Sequence, residues 1–183
     1  MNPRPSLPPD RAELARSIYR VSHLTGEFTL RSGVVSHEYF DKYRFESDPA
    51  LLLAIAAAMR AMVPDGVEAL AGLELGGVPL ATVLSQVTGV PALFVRKEAK
   101  TYGTCRLAEG GELESRRLLV VEDVVTSGGA VLDAARELRA RGAVLDRVVC
   151  VIDRESGGRE NLAAADLTLD ALFTMTELTA HAG

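Results

Sequence analysis

Residues 118–130 read LLVVEDVVTSGGA: four apolar residues, two adjacent acids, two valines, and a Thr-Ser-Gly-Gly turn that opens into a helical pattern. A short apolar run bounded by a turn signal reads as a buried strand. In an open α/β sheet, ligands bind beyond the carboxyl ends of the strands, where a strand gives way to a helix. Glu122 and Asp123 are expected at such an end, and carboxylates there can accept hydrogen bonds from a sugar diol. The amides of Ser127, Gly128, Gly129 and Ala130 would face outward at a helix start, where glycine lets the backbone close around an anion and the helix dipole favours it. Thr126 and Ser127 add hydroxyl donors. Carboxylates beside a phosphate cradle suit a ribose phosphate. A bare TSGG is better read as a helix cap beside solvated acids; the complete string, strand included, favours the ligand site.

Outward from this stretch, apolar pieces and helical patterns alternate. An apolar piece at 67–73 precedes a helix from about Val78 to Val87, a strand at 92–95, and the strand at 117–121. A helix at 129–141, a strand at 147–152 and a last strand-helix piece to 180 follow. Strands separated by helices of this length imply a parallel sheet covered on both faces, a doubly wound α/β core. Ahead of it, Asp10 caps a predicted amphipathic helix that stops at Gly26, and EFTLRSGVVSHEYFD gives two short strands around Ser32-Gly33. Ser47-Asp48-Pro49 starts the next helix, with proline in its first turn. The expectation is a single domain over residues 1–183: a small helix-and-hairpin hood over about 1–46, and the α/β core over about 47–183. Residues 96–117, RKEAKTYGTCRLAEGGELESRR, show no apolar period, and long loops of that kind are either functional or disordered.

Composition removes several classes of function. The 183 residues are 48% hydrophobic with a formal net charge of -5, enough to bury about two-thirds of the unfolded surface. Without a basic run there is no broad electrostatic footprint for nucleic acid. The longest apolar run, LLLAIAAAM at 51–59, falls far short of the roughly 20 residues needed to span a bilayer. Cys105 and Cys150 have neither redox nor zinc spacing, and no N-terminal segment resembles a signal peptide. A soluble cytoplasmic protein with no membrane or nucleic-acid partner is expected. There is no GxxxxGK[ST] and no GxGxxG, which disfavours a nucleoside triphosphatase or a dinucleotide enzyme. HEYFD at 37–41 is not HExxH, and His23, His37 and His181 are too scattered for a metal cluster.

The 118–130 string resembles the phosphoribosyl pyrophosphate (PRPP) signature of the type I phosphoribosyltransferases. GEFTLRSG at 26–33, LELGGVPLA at 73–81, FVRKEAKTYG at 94–103 and VIDRESGG at 151–158 are similar, in order and spacing, to segments of the orotate phosphoribosyltransferases. Together they cover nearly the whole chain. The resemblance implies that Glu122 and Asp123 hold the ribose hydroxyls, that Thr126 to Ala130 hold the 5′-phosphate, and that Gly76 and Gly77 meet the pyrophosphate. Some members of the family carry a lysine at the position of Gly76. Arg96, Lys97 and Lys100 match the basic residues that lead a loop, here 97–111, which folds over bound substrates. Where the family usually has aspartate and histidine, this chain has Thr101 and Tyr102; tyrosine can donate a hydrogen bond to pyrophosphate but is a poor proton source near neutral pH. Independently of family, the chain holds seventeen arginines and three lysines, two of them within RKEAK. A compact ammonium is not interchangeable with a guanidinium, so a lysine in such a sequence is expected to have a specific task.

For the base, the resemblance implies Arg154 facing a pyrimidine, Thr126 near its edge, Tyr39 and Phe40 lining the pocket, and Arg31 where many members have lysine. Taken singly, Tyr39 and Phe40 read as core packing and Arg154 as a surface ion pair with Glu155 or Asp153. The implied reaction joins orotate and PRPP to give orotidine 5′-monophosphate and pyrophosphate. Lys100, Asp123 and Glu122 carry the catalysis, and Mg²⁺ arrives mainly with pyrophosphate oxygens and water, near Glu122 and Asp123. The family also implies a homodimer whose 97–111 loop reaches the neighbouring site. Two rivals stand beside this reading, a phosphoribosyltransferase for another base and a non-catalytic PRPP-binding regulator.

Overall fold

A computed structural model describes residues 10–29, 33–98 and 107–181. Helix α1 (Arg11–Ser22) leads into an antiparallel hairpin, β1 (His23–Thr29) and β2 (Val35–Phe40), followed by a single helical turn, α2 (Tyr43–Ser47), and by α3 (Pro49–Met59). The core then alternates as β3 (Ala69–Leu73), α4 (Gly77–Thr88), β4 (Ala92–Val95), β5 (Ala108–Glu109), β6 (Leu118–Val125), α5 (Gly129–Ala140), β7 (Arg147–Asp153), α6 (Gly158–Ala163), β8 (Thr168–Thr174) and α7 (Met175–Ala180). The sheet order is β5-β4-β3-β6-β7-β8, parallel except for β5. The parallel strands in chain order therefore run 2-1-3-4-5, the doubly wound arrangement whose switch point, here between β3 and β6, is where ligands bind.

Strands buried on both faces read as unbroken apolar runs. Leu119 and Val121 pack on one face with residues of α1, α3, α4 and α7, while Val120 and Val148 pack on the other with Val131, Ala135, Leu138 and Leu162 of α5 and α6. Pro49 opens α3, and the Asp48 carboxylate accepts from the amides of Ala50 and Leu51 at 3.0 Å each, as a cap should. No helix among the described residues is long and apolar enough to cross a membrane.

The structure departs from expectation at four places. Helix α1 ends at Ser22 rather than at Gly26, because His23–Thr29 pair with Val35–Phe40; Gly26 lies within that strand, where the register shifts between Thr25 and Phe28. Tertiary pairing there overrides a helical pattern. The short helices α2 and α6 give no periodic signal and went unanticipated. The segment after Val95 is not loop throughout: Phe94 pairs with Glu109 and Val95 with Ala108, and Leu107 and Leu113 are buried. Two strand residues are too few to show a period of two. Finally, β6 runs to Val125, so both acids lie inside the strand, with Glu122 opposite Cys150 and Val124 opposite Ile152.

Candidate active site

Two adjacent acids can lie within a buried strand only if their charge is paired or neutralised. Asp123 is fully buried and Glu122 nearly so. The carboxylate of Asp123 lies against the turn that joins β3 to α4. An alanine Cβ at Gly76 would collide with Asp123 Oδ2 and come within 2.7 Å of Glu46 Oε1. Only a residue without a side chain leaves room for the acid, which is the local reason for glycine at the cap of α4. Gly77 opens that helix against the Val121 carbonyl, beside Glu122.

Two residues complete the cluster that the sequence motifs did not point to. Lys42, at the start of α2, places Nζ 2.6 Å from Asp123 Oδ2. Glu46, one turn later, is buried against the same carboxylate. A signal for Lys42 existed: it is the third of the three lysines. Glu46 offered none, being one acid among many on a segment without helical period.

Three buried acids facing one lysine cannot all be charged. Burial, reinforced by the hydrogen bond to Asp123, pushes Glu46 up to about 9; burial and then the Asp123 charge push Glu122 up to about 9. Burial alone would lower the Lys42 ammonium, but its hydrogen bond to Asp123 and the acid charges hold it above its ordinary value. At neutral pH Glu46 and Glu122 therefore hold their protons, and the Lys42 ammonium stands against Asp123. A folded-state pKa raised above the unfolded one contributes stability that is full below the unfolded value and is lost as pH rises through the folded value. Ligand-free protein is therefore expected to lose thermal stability between about pH 5 and pH 9. Glu46→Gln keeps a neutral donor to Asp123 and removes one titration, so its melting temperature should fall less over that range. Scanning calorimetry of both proteins at both ends of the range checks this; equal slopes would mean that Glu46 is not a proton holder.

Downstream of the acids the strand turns at Thr126 and Ser127, both exposed. Gly128 caps α5 with φ of 79°, a left-handed conformation that glycine adopts without strain. No side chain caps α5. The hydroxyls of Thr126 and Ser127 therefore do not perform the capping that a bare TSGG suggests, and the start of the helix at Gly129 has no side-chain cap. Asn161 Nδ2 donates to the Ser127 carbonyl at 2.9 Å, tying the cradle to α6.

Arg154 lies where β7 leaves the sheet, its amide donating to Val125 at 2.8 Å. Its guanidinium stands 5.7 Å from the centre of the Phe40 ring. The acids beside it in sequence are engaged elsewhere: Asp153 with Arg159 at 3.2 Å, Glu155 with Thr176. Arg154 and Phe40 are thus brought together. Successive strand residues point to opposite faces, so Tyr39 instead meets Phe28, at 5.5 Å between ring centres. An open cleft of about 690 Å³ lies between α5, at Ala130, Asp133 and Arg136, and the ends of β3 and β4, at Glu74, Arg96 and Lys97; Glu122, Asp123 and Arg154 do not line it. Lys97 is exposed, and its charge acts on Glu122. Arg96 is half-buried, with Nε 3.6 Å from Glu109. Arg31, Lys100, Thr101 and Tyr102 lie outside the described residues. Among the described residues no group of three or more His, Cys, Asp or Glu could hold a metal ion. The Glu122 Oε2 and Glu46 Oε1 atoms have no hydrogen-bond partner there; on giving up their protons these acids could supply the one or two protein oxygens taken by a cation that draws the rest from a ligand.

Comparison with known proteins agrees with this geometry. The phosphoribosyl transferase domain family matches residues 44–170. An orotate phosphoribosyltransferase from a Nocardioides species is 56% identical over 169 residues, covering 92% of this chain and 94% of that protein. The crystal structure of Mycobacterium tuberculosis orotate phosphoribosyltransferase superposes with a TM-score of 0.84 at 36% identity, over 93% of this chain and 99% of that one. A structure of the mycobacterial protein in complex with PRPP superposes at 0.80 with 32% identity and the same coverage.

Proposed function

Because this chain belongs to the orotate phosphoribosyltransferase family, we propose that it transfers ribose 5-phosphate from PRPP to orotate, giving orotidine 5′-monophosphate and pyrophosphate for pyrimidine synthesis. The observation that carries this reading is the uncapped start of α5 standing beside two buried acids at the β3/β6 switch point. An anion cradle next to paired carboxylates holds a phosphate and a diol on one ligand.

In this account Glu122 and Asp123 orient the ribose, and Thr126 to Ala130 hold its 5′-phosphate. Breaking the bond from C1′ to pyrophosphate builds positive charge on the sugar and negative charge on the leaving group, so the contribution of the protein is positioning and electrostatics. The amides of Gly76 and Gly77, with Arg96, Lys97, Lys100 and Tyr102, face the pyrophosphate. Mg²⁺ bound mainly by pyrophosphate and water would neutralise leaving-group charge, with Glu122 and Asp123 as the nearest protein acids. Arg154 over Phe40, with Thr126 and Arg31 near, receives the base and its carboxylate, while Tyr39 packs on Phe28 within the hairpin. The stretch that carries Lys100 and Tyr102 would cover the bound substrates and keep water from the cation-like sugar. We further propose a cytoplasmic homodimer in which that stretch serves the neighbouring site.

With Mg²⁺ and PRPP, pyrophosphate should be released in the presence of orotate, and at far lower rates with uracil, hypoxanthine or adenine. Equal or faster turnover of a purine would replace orotate as the substrate, and PRPP binding without turnover of any base would favour a regulator.

A further inference from the structure

The proposed reaction leaves Lys42 without a task, yet no described cation approaches the ribose-binding acids more closely. Its Nζ lies 2.6 Å from Asp123, and about a third of its side chain remains exposed. It reaches the acid from α2, immediately after the hairpin, so it connects the hood to the floor of the site. The other charged or titratable groups facing this pair are Glu46 and Tyr43 on α2, Glu122 on β6 and, after β4, Lys97. A small ammonium fits between Asp123 and the Tyr43 ring, whose centre is 5.3 Å away. A planar guanidinium, wider and differently hydrated, would not replace it in the same position. Lysine is therefore the residue this place requires, in a chain that has seventeen arginines and three lysines.

We propose that Lys42 is a positioning residue for the transfer, its ammonium holding the Asp123 carboxylate in one orientation as the acceptor for the ribose hydroxyls. The inference rests on the reading above that Asp123 meets the ribose. A carboxylate can rotate about its last bond; here the Lys42 ammonium on Oδ2 and the Val124 amide donating to Oδ1 at 2.5 Å together hold it in one orientation. With Lys42 neutralised, the Asp123 carboxylate would lose the contact that fixes its orientation and be left buried without its cationic partner.

The test is the steady-state kinetics, with PRPP varied at saturating orotate and Mg²⁺, of wild type and of Lys42→Met, Lys42→Gln and Lys42→Arg. Both neutral variants should lose about 100-fold in kcat/KM for PRPP. Lys42→Arg, which keeps the charge in a wider group, should recover part of that loss. A wild-type readout needs no variant: with only three lysines in the chain, ¹³Cε labelling gives three signals, and the one from Lys42 should shift when ribose 5-phosphate is added. Neutral variants with kcat/KM within about threefold of wild type, a Lys42→Arg variant no more active than the neutral ones, or a Lys42 signal indifferent to ribose 5-phosphate, would overturn the proposal and leave a structural ion pair. In either case wild-type turnover of orotate would stand; its absence would instead remove the reading on which the proposal rests.

Discussion

Replacing Gly76 with alanine is expected to lower kcat/KM for PRPP about 100-fold or more, the cost of misplacing a reacting group by an ångström. The new Cβ would occupy the space of Asp123 Oδ2. The carboxylate must then swing away from Lys42, and Glu46 must move with it. Gly89→Ala is the control at the other end of α4. Gly89 has φ of 79° with open space around it, so alanine there strains the helix end and should cost stability without touching turnover. Steady-state kinetics and melting temperatures of both variants separate the effects. If Gly76→Ala kept kcat/KM within a few-fold of wild type, Asp123 would not be the ribose acceptor.

Recovery of activity from two inactive proteins is the second large effect. Lys100→Ala should lower kcat by more than it raises KM, since its charge is proposed to meet negative charge that grows in the transition state. Asp123→Asn should disable the ribose site of its own chain. In a symmetric dimer whose sites each take Asp123 from one chain and Lys100 from the other, mixing the two variants in equal amounts gives about half heterodimers. Each heterodimer carries one intact site and one doubly defective site, so activity should return to roughly a quarter of wild type. A mixture that stays inactive, with heterodimers confirmed by mass, would show that Lys100 serves the site of its own chain.

The parallel core was legible because buried strands and their covering helices differ plainly in period, and all five parallel strands lie where the apolar pieces predict. The turn at Thr126 to Ala130 was legible as a strand-to-helix junction, because the apolar run before it marks a buried strand and the glycines mark the helix start. What the sequence hid was set by distant pairing. The early end of α1 depends on β2, thirteen or more residues beyond it, and β5 exists because β4 offers an edge. The acids are inside β6 rather than after it, and their tolerance there depends on Lys42 and Glu46, some eighty residues earlier in the chain. Lysine scarcity marked Lys42 as a residue with a purpose, but no local pattern tied it to Asp123. Glu46 becomes intelligible only when its carboxyl is seen against that same acid.

A crystal structure with orotidine 5′-monophosphate bound tests the central claim most directly. The account predicts the 5′-phosphate on the amides of Ser127, Gly128, Gly129 and Ala130, the ribose hydroxyls on Glu122 and Asp123, and the pyrimidine beside Arg154 and Phe40. A nucleotide bound with its phosphate on Arg96 and Lys97, or with its ribose away from Asp123, would contradict it.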